Sequence, residues 1–144
     1  MRHTLLFHTA NLGRKLQKFI SSKSLPLPLA YSQSYALVII DSEKDVTQTQ
    51  IAARLNLDPA SVVSLIDELE KQDLVKRGRL ASDRRKHQIS LSIKGQRLIN
   101  QIKKQTFKFD TFLQERLSPK EMQNFHLTLN KVDLYLNEWK GGEK

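Results

Sequence analysis

The chain has 144 residues and a mass of 16.7 kDa, enough for one domain with its own core and too few for a string of independent modules. Hydrophobic residues at 39% and charged residues at 27% exclude wholesale disorder, and five Gly and four Pro without a repeat period exclude collagen-like and solenoid architectures. The absence of Cys excludes disulfides, thiolate metal sites, cysteine nucleophiles and thiol-based peroxide sensing and favours a cytosolic setting, while a formal net charge of +9 points to a polyanionic partner.

The N-terminus begins as an export signal would, but its apolar run ends at His8 and soon meets Arg14 and Lys15, so no export segment is read there. The run Ala36 to Ile40 is far short of the roughly eighteen apolar residues that a membrane span needs. Leu5, Leu12, Leu16, Phe19 and Ile20 recur at helical spacing and predict a first amphipathic helix over about 3–22. Leu25-Pro26-Leu27-Pro28-Leu29 breaks it, because proline lacks the amide hydrogen and forces its predecessor extended. A second helix is expected from about Tyr31 to Ile40, before the polar loop Asp41 to Asp45.

Thr47-Gln48-Thr49-Gln50 reads as a capping box that opens a short third helix carrying Ile51, Ala52 and Leu55 inward. Asn56-Leu57 supplies a tight turn, since Asn tolerates the left-handed backbone. Asp58-Pro59 then restarts the chain with an N-cap and a proline at the first helical position, and Val62, Leu65, Ile66 and Leu69 form the inward stripe of a fourth helix to about Gln72. Two short helices across so tight a turn make a helix-turn-helix.

Residues 74–80 and 87–92 favour strand, the second by alternation of polar and apolar side chains, with residues 81–86 as the hairpin loop. Ser92 is expected to cap a long fifth helix to about Leu117 with Ile99, Ile102, Phe109 and Leu113 inward, and Ser118-Pro119 to begin a sixth. There Met122, Phe125, Leu129, Val132, Leu136 and Trp139 step by three and four as a coiled-coil seam does. The helix-turn-helix and hairpin are too small to cover all the apolar stripes of the first, fifth and sixth helices. A second copy of the chain is the natural partner; the alternative is that the terminal helices fold back on their own domain.

The charge is concentrated. Between Leu74 and Lys104 stand ten basic residues against Asp83 alone, a surplus that equals the whole net charge of +9. A solvated face is the ordinary reading of such a run, but a block this one-sided repels itself, a cost easier to understand if it meets phosphates.

These residues resemble the MarR family of winged helix-turn-helix regulators over nearly the whole chain. The family's hairpin pattern D-x-R-x-x-x-V-x-L-T-x-x-G is met by Asp83, Arg85, Ile89, Leu91, Ser92 and Gly95 in register. Upstream, Thr47 to Ala52 and Asp67 to Arg77 are similar to the family's run into the wing. The resemblance implies a mainly α fold with a small β-hairpin wing. It is a single domain in which residues 31–92 form the DNA-binding lobe, and 1–30 and 93–144 supply dimerisation helices. It implies a homodimeric, sequence-specific regulator of transcription, a repressor in the commonest case, bound to a palindromic double-stranded operator and associated with the cytoplasmic nucleoid. No cofactor, metal, membrane or catalytic role is expected.

On this reading Ser61, Val63 and Ser64 face the major groove, and Thr47, Thr49, Arg77, Arg79, Arg84, Arg85 and Lys86 lie near phosphates or the minor groove. Asp83 braces the wing by pairing with Arg85, leaving Arg84 the freer DNA contact. Leu5, Leu12, Phe125, Leu129, Val132, Leu136 and Trp139 are assigned to the dimer interface. Family members commonly release DNA when a small ligand enters a cleft beside the dimer core; here His8, Leu12, Tyr31 and Tyr35 could line it, or be simple core.

Two departures from the family pattern matter. The groove-reading helix, Asp58 to Gln72, has no Arg and only Lys71 near its end, so bidentate guanine readout is unavailable from its front turns. Phosphate and wing contacts are therefore expected to dominate affinity, with AT-rich sites favoured. Asp73 stands where relatives place Gly, and must take the left-handed conformation at some cost.

An enzyme finds little support: His3, His8, His87 and His126 are scattered, and no glycine-rich phosphate loop is present. Asp67 and Glu68 read as solvated carboxylates. The rival reading is a basic module that binds RNA or an anionic surface without operator specificity. RNA recognition usually stacks bases on aromatics, absent from residues 74–104, and membrane adsorption wants a basic amphipathic helix rather than a hairpin.

Overall fold

A computed structural model describes residues 4–20, 29–43, 45–79 and 87–139, with the side chain of His87 left aside. The elements in order are α1 (Leu5–Ile20), α2 (Tyr31–Ser42), α3 (Gln48–Leu55), α4 (Pro59–Lys71), β1 (Val75–Arg79), β2 (His87–Leu91), α5 (Ile93–Gln114) and α6 (Pro119–Glu138). They group into two compact units, residues 1–105 and residues 106–144.

The first unit holds the core. Leu37 from α2, Ile51 from α3, Ile66 and Leu69 from α4, Ile89 from β2 and Ile99 from α5 have no more than 2% of their surface exposed. Side chains of this size each contribute roughly 1.5–3 kcal/mol on full burial. α2 runs two residues further than its sequence suggests, taking in Asp41 and Ser42. It does so because Asp41 is held by α5: Gln96 Nε2 donates to Asp41 Oδ1 at 3.0 Å and the Lys103 ammonium pairs with Oδ2.

β1 and β2 pair antiparallel with Val75 opposite Leu91, Arg77 opposite Ile89 and Arg79 opposite His87. A third segment, which the sequence did not announce, joins the other edge of β2. Thr47 bridges Gln88, and the Ile89 N–H donates to the Val46 carbonyl at 2.8 Å. This tie fastens the hairpin to the entry of α3.

The joint between α4 and α5 explains the Ser and Gly of the hairpin pattern. Asp73 leaves α4 at φ 56, the left-handed turn expected of it. The buried Ser92 hydroxyl donates to the Asp73 carbonyl at 2.5 Å and accepts from the Gly95 N–H at 2.9 Å, capping α5. Gly95 lies so close to the Leu74 carbonyl that an added Cβ would stand 2.0 Å from its oxygen. Lys94 Nζ donates to the Gln72 carbonyl at 2.7 Å, placing a cation at the negative end of α4.

In the second unit, Ser118 and Glu121 form a capping box that opens α6, with Pro119 at its first turn. The Arg116 guanidinium stacks 3.6 Å from the centroid of the Phe112 ring. No described residue of α6 is buried, and the same holds for α1 in the first unit.

Candidate nucleic-acid interface

The interface is built on two successive caps. Thr47 accepts from the Gln50 N–H at 3.3 Å, and Gln50 Oε1 accepts from the Thr47 N–H at 2.8 Å, so two donors that helix geometry leaves unpaired are satisfied at the start of α3. α3 ends at Asn56, φ 51 and ψ 47, with the Leu57 N–H closing on the Ala52 carbonyl at 3.1 Å. Asp58 then caps α4: Oδ1 accepts from the Ser61 N–H at 2.9 Å and Oδ2 from the Ser61 hydroxyl at 2.5 Å. The Ser61 hydroxyl, and after it the Ser61 N–H, holds the Asp58 carboxyl below the usual carboxylate range. The consequence is a helix that starts abruptly and presents its first turns outward.

Val62, Leu65, Ile66 and Leu69 fill the core, and Ser61, Val63 and Ser64 lie on the exposed side of α4, so the three residues expected to face a groove share one open surface. Val63 is 44% exposed, an apolar side chain offered to solvent without a partner in the described residues. Thr49 is exposed on α3, whereas Thr47 is half-buried and occupied in its cap.

The rear of α4 is acidic and paired. Lys71 Nζ meets Glu68 Oε1 at 3.0 Å. Asp67, expected to be merely solvated, is bound instead: the Arg77 guanidinium forms ion pairs with Asp67 and Glu70 together. Burial would lower the Arg77 pKa, but its bonds to these two carboxylates outweigh that and hold it above its ordinary value. Arg79, further along β1, and Lys76 are exposed. Asp83, Arg84, Arg85 and Lys86 lie outside the described residues.

Of the residues proposed for a ligand cleft, Tyr31 and Tyr35 pack with ring centroids 5.8 Å apart, while His8 and Leu12 stand exposed on α1. Burial first, and the neighbouring Tyr35 second, raises the Tyr31 pKa. No group of three or more His, Cys, Asp or Glu among the described residues is arranged to hold a metal, and no described helix is long and apolar enough to cross a membrane.

The bond from Arg77 to α4 and the tie from β2 to the entry of α3 were both missed by reading the sequence. Alternation along β1 could have signalled the first, since it puts Arg77 on the same face as Val75, which is 1% exposed.

A capped helix pair across a left-handed turn, followed by a hairpin that is tied back to it, defines a winged helix-turn-helix protein. The family model described as "MarR family" matches residues 26–86. The HTH-type transcriptional regulator SarZ of Staphylococcus saprophyticus is 31% identical over 125 residues, covering 83% of this chain and 84% of that protein. The chain belongs to the MarR family. Among solved structures, CouR from Rhodococcus jostii RHA1 bound to p-coumaroyl-CoA is 27% identical with a TM-score of 0.79, covering 90% of this chain and 91% of that one. The Staphylococcus aureus MepR–DNA complex is 21% identical with a TM-score of 0.82, covering 92% and 96%, and shows the likeness of fold.

Proposed function

We propose that this protein is a sequence-specific double-stranded DNA-binding regulator of transcription, acting as a homodimer on a palindromic operator and repressing by occupying it. The observation that carries the reading is the open face of α4: Ser61, Val63 and Ser64 exposed together on the helix that the paired caps hold outward, next to a hairpin rich in cations. The front turns of α4 enter the major groove and the hairpin reaches the flanking minor groove, Arg84 entering it and Asp83 bracing Arg85. Arg79 and Lys86 neutralise neighbouring phosphates, and Thr49 approaches the backbone from α3.

In this reading residues 31–92 are the DNA-binding lobe of a single domain, and 1–30 and 93–144 carry the dimerisation helices. Support comes from the exposed apolar residues of those helices. Leu5 is 75% and Leu12 44% exposed on α1, and Phe125, Leu129, Val132 and Leu136 on α6, with Trp139 at its C-cap, range from 36% to 71%. Surfaces of this kind mark an association site. A small-molecule effector is part of the proposal because CouR was solved with p-coumaroyl-CoA bound, and Tyr31 and Tyr35, with His8 and Leu12, are its first candidates here. The relatives are named as transcriptional regulators.

The test is selection of bound genomic fragments, followed by affinity measured across salt. Two half-sites with centres roughly 10 base pairs apart are expected. Arg84→Gln should weaken binding to every sequence and flatten the plot of log affinity against log salt by about one unit. An unchanged slope removes the hairpin tip from the mechanism, and a preference for structured RNA over duplex at equal phosphate concentration overturns the DNA reading.

A further inference from the structure

Arg77 is expected from the sequence to face a phosphate, yet its guanidinium is engaged within the fold. Nη2 donates to Asp67 Oδ1 and Nη1 to Glu70 Oε2, carboxylates one turn apart on α4. The main-chain N–H of Arg77 donates to the other oxygen of Glu70 at 3.3 Å, so one carboxylate holds both backbone and side chain. The Arg77 side chain is 25% exposed, and its partner across the hairpin is the buried Ile89. A phosphate that reached this guanidinium would have to displace two carboxylates.

We propose, resting on the DNA-binding reading above, that Arg77 is a positioning residue: by clasping Asp67 and Glu70 it fixes the hairpin relative to the groove-entering helix, and it neutralises no phosphate. The planar fork of arginine can address two acceptors at once, which the single ammonium of lysine cannot do with the same geometry. The clasp also covers two carboxylates on a helix that must approach a polyanion. A hairpin already held in place delivers its cations without the ordering cost that a loose one incurs on binding.

The experiment compares the full-length parent with R77Q, R77K, D67N/E70Q and the triple variant R77Q/D67N/E70Q. Duplex affinity is measured from low to moderate salt, at a temperature where circular dichroism shows each variant folded. The clasp predicts that R77Q weakens binding about tenfold at every salt concentration with the slope unchanged, because the same phosphates are neutralised once bound. R77K does not restore affinity. D67N/E70Q weakens binding too, although it leaves the cation in place, and the triple variant is no weaker than R77Q because the interaction is already lost.

A slope flattened by about one unit in R77Q would make Arg77 a phosphate contact and overturn the proposal. Tighter or parental binding by D67N/E70Q would do the same, and that variant decides the matter if R77Q does not fold. If the parent ignores duplex DNA at low salt, the DNA-binding reading has failed instead. Amide hydrogen exchange then tests the clasp alone: faster exchange in β1 and β2 of D67N/E70Q is expected, and unchanged exchange overturns it.

Discussion

Gly95→Ala sets helix propensity against packing, and the two predict opposite signs. Propensity alone predicts a gain of about 1 kcal/mol, since glycine inside a helix is that much worse than alanine. The structure predicts a loss. The added Cβ would stand 2.0 Å from the Leu74 carbonyl oxygen where ordinary contact needs about 3.5 Å, so backbone must move by about 1.5 Å. That carbonyl accepts from the Ser92 N–H at 3.0 Å, and the Ser92 hydroxyl is bonded to Asp73 next door, so the movement strains both bonds. Two hydrogen bonds at about 1 kcal/mol each and overpacking at about 1–3 kcal/mol, less the propensity gain, leave a net loss of about 2–4 kcal/mol. For a chain of this length the melting temperature should fall by roughly 6–15 °C. Thermal unfolding by circular dichroism at one fixed protein concentration reads the change, because association would otherwise shift the midpoint. A melting temperature equal to or above that of the parent refutes the packing argument.

Two further outcomes test other joints. Leu129→Glu with Leu136→Glu puts charge on the exposed apolar face of α6, and sedimentation should then give a monomer with helical content retained and duplex affinity lost; a persistent dimer would assign the interface elsewhere. Asp41 is held below the usual carboxylate range first by Lys103 and then by Gln96, so its contribution is complete at neutral pH and disappears as pH falls below about 4, through the lowered folded value. Because Lys103 is more than half exposed, Asp41→Asn should cost only about 1 kcal/mol at pH 7. Urea unfolding down to pH 3 should show that difference shrinking; a constant difference would mean that the carboxylate charge is not what matters.

Local chemistry made much of the fold legible. The capping box at Thr47, the left-handed turn at Asn56, the Asp58-Pro59 restart and the serine caps at Ser92 and Ser118 each act within three or four residues, and all are present. The left-handed Asp73 was expected from the family resemblance, in which Gly stands at that position, rather than from local chemistry. Contacts between distant segments were not. The pairing of Val46 and Thr47 with β2 joins residues about forty positions apart, and a two-residue bridge has no periodicity to detect. Asp41 gained its helical place from Gln96 and Lys103, which no local pattern at the end of α2 reveals. At the interface the exposed positions Ser61, Val63 and Ser64 followed from the spacing of the buried stripe, but the engagement of Arg77 did not. Charge type can be read from a residue, whereas its partner depends on how strand and helix pack.

The distribution of charge along α4 governs how DNA would be read. Its rear carboxylates, Asp67, Glu68 and Glu70, are each met by a cation from Arg77 or Lys71, so this half offers DNA little net attraction. At its front the Ser61 hydroxyl donates to Asp58 and therefore has only lone pairs left to offer. In the major groove the matching donors are the amino groups of adenine and cytosine, and exposed Val63 can meet a thymine methyl. Single contacts of this kind supply less discrimination than a bidentate arginine on guanine. In the proposed complex, therefore, affinity rests on phosphates reached by the hairpin and on where the hairpin is held. Displacing the hairpin should then reduce binding more than altering any one base contact on the helix.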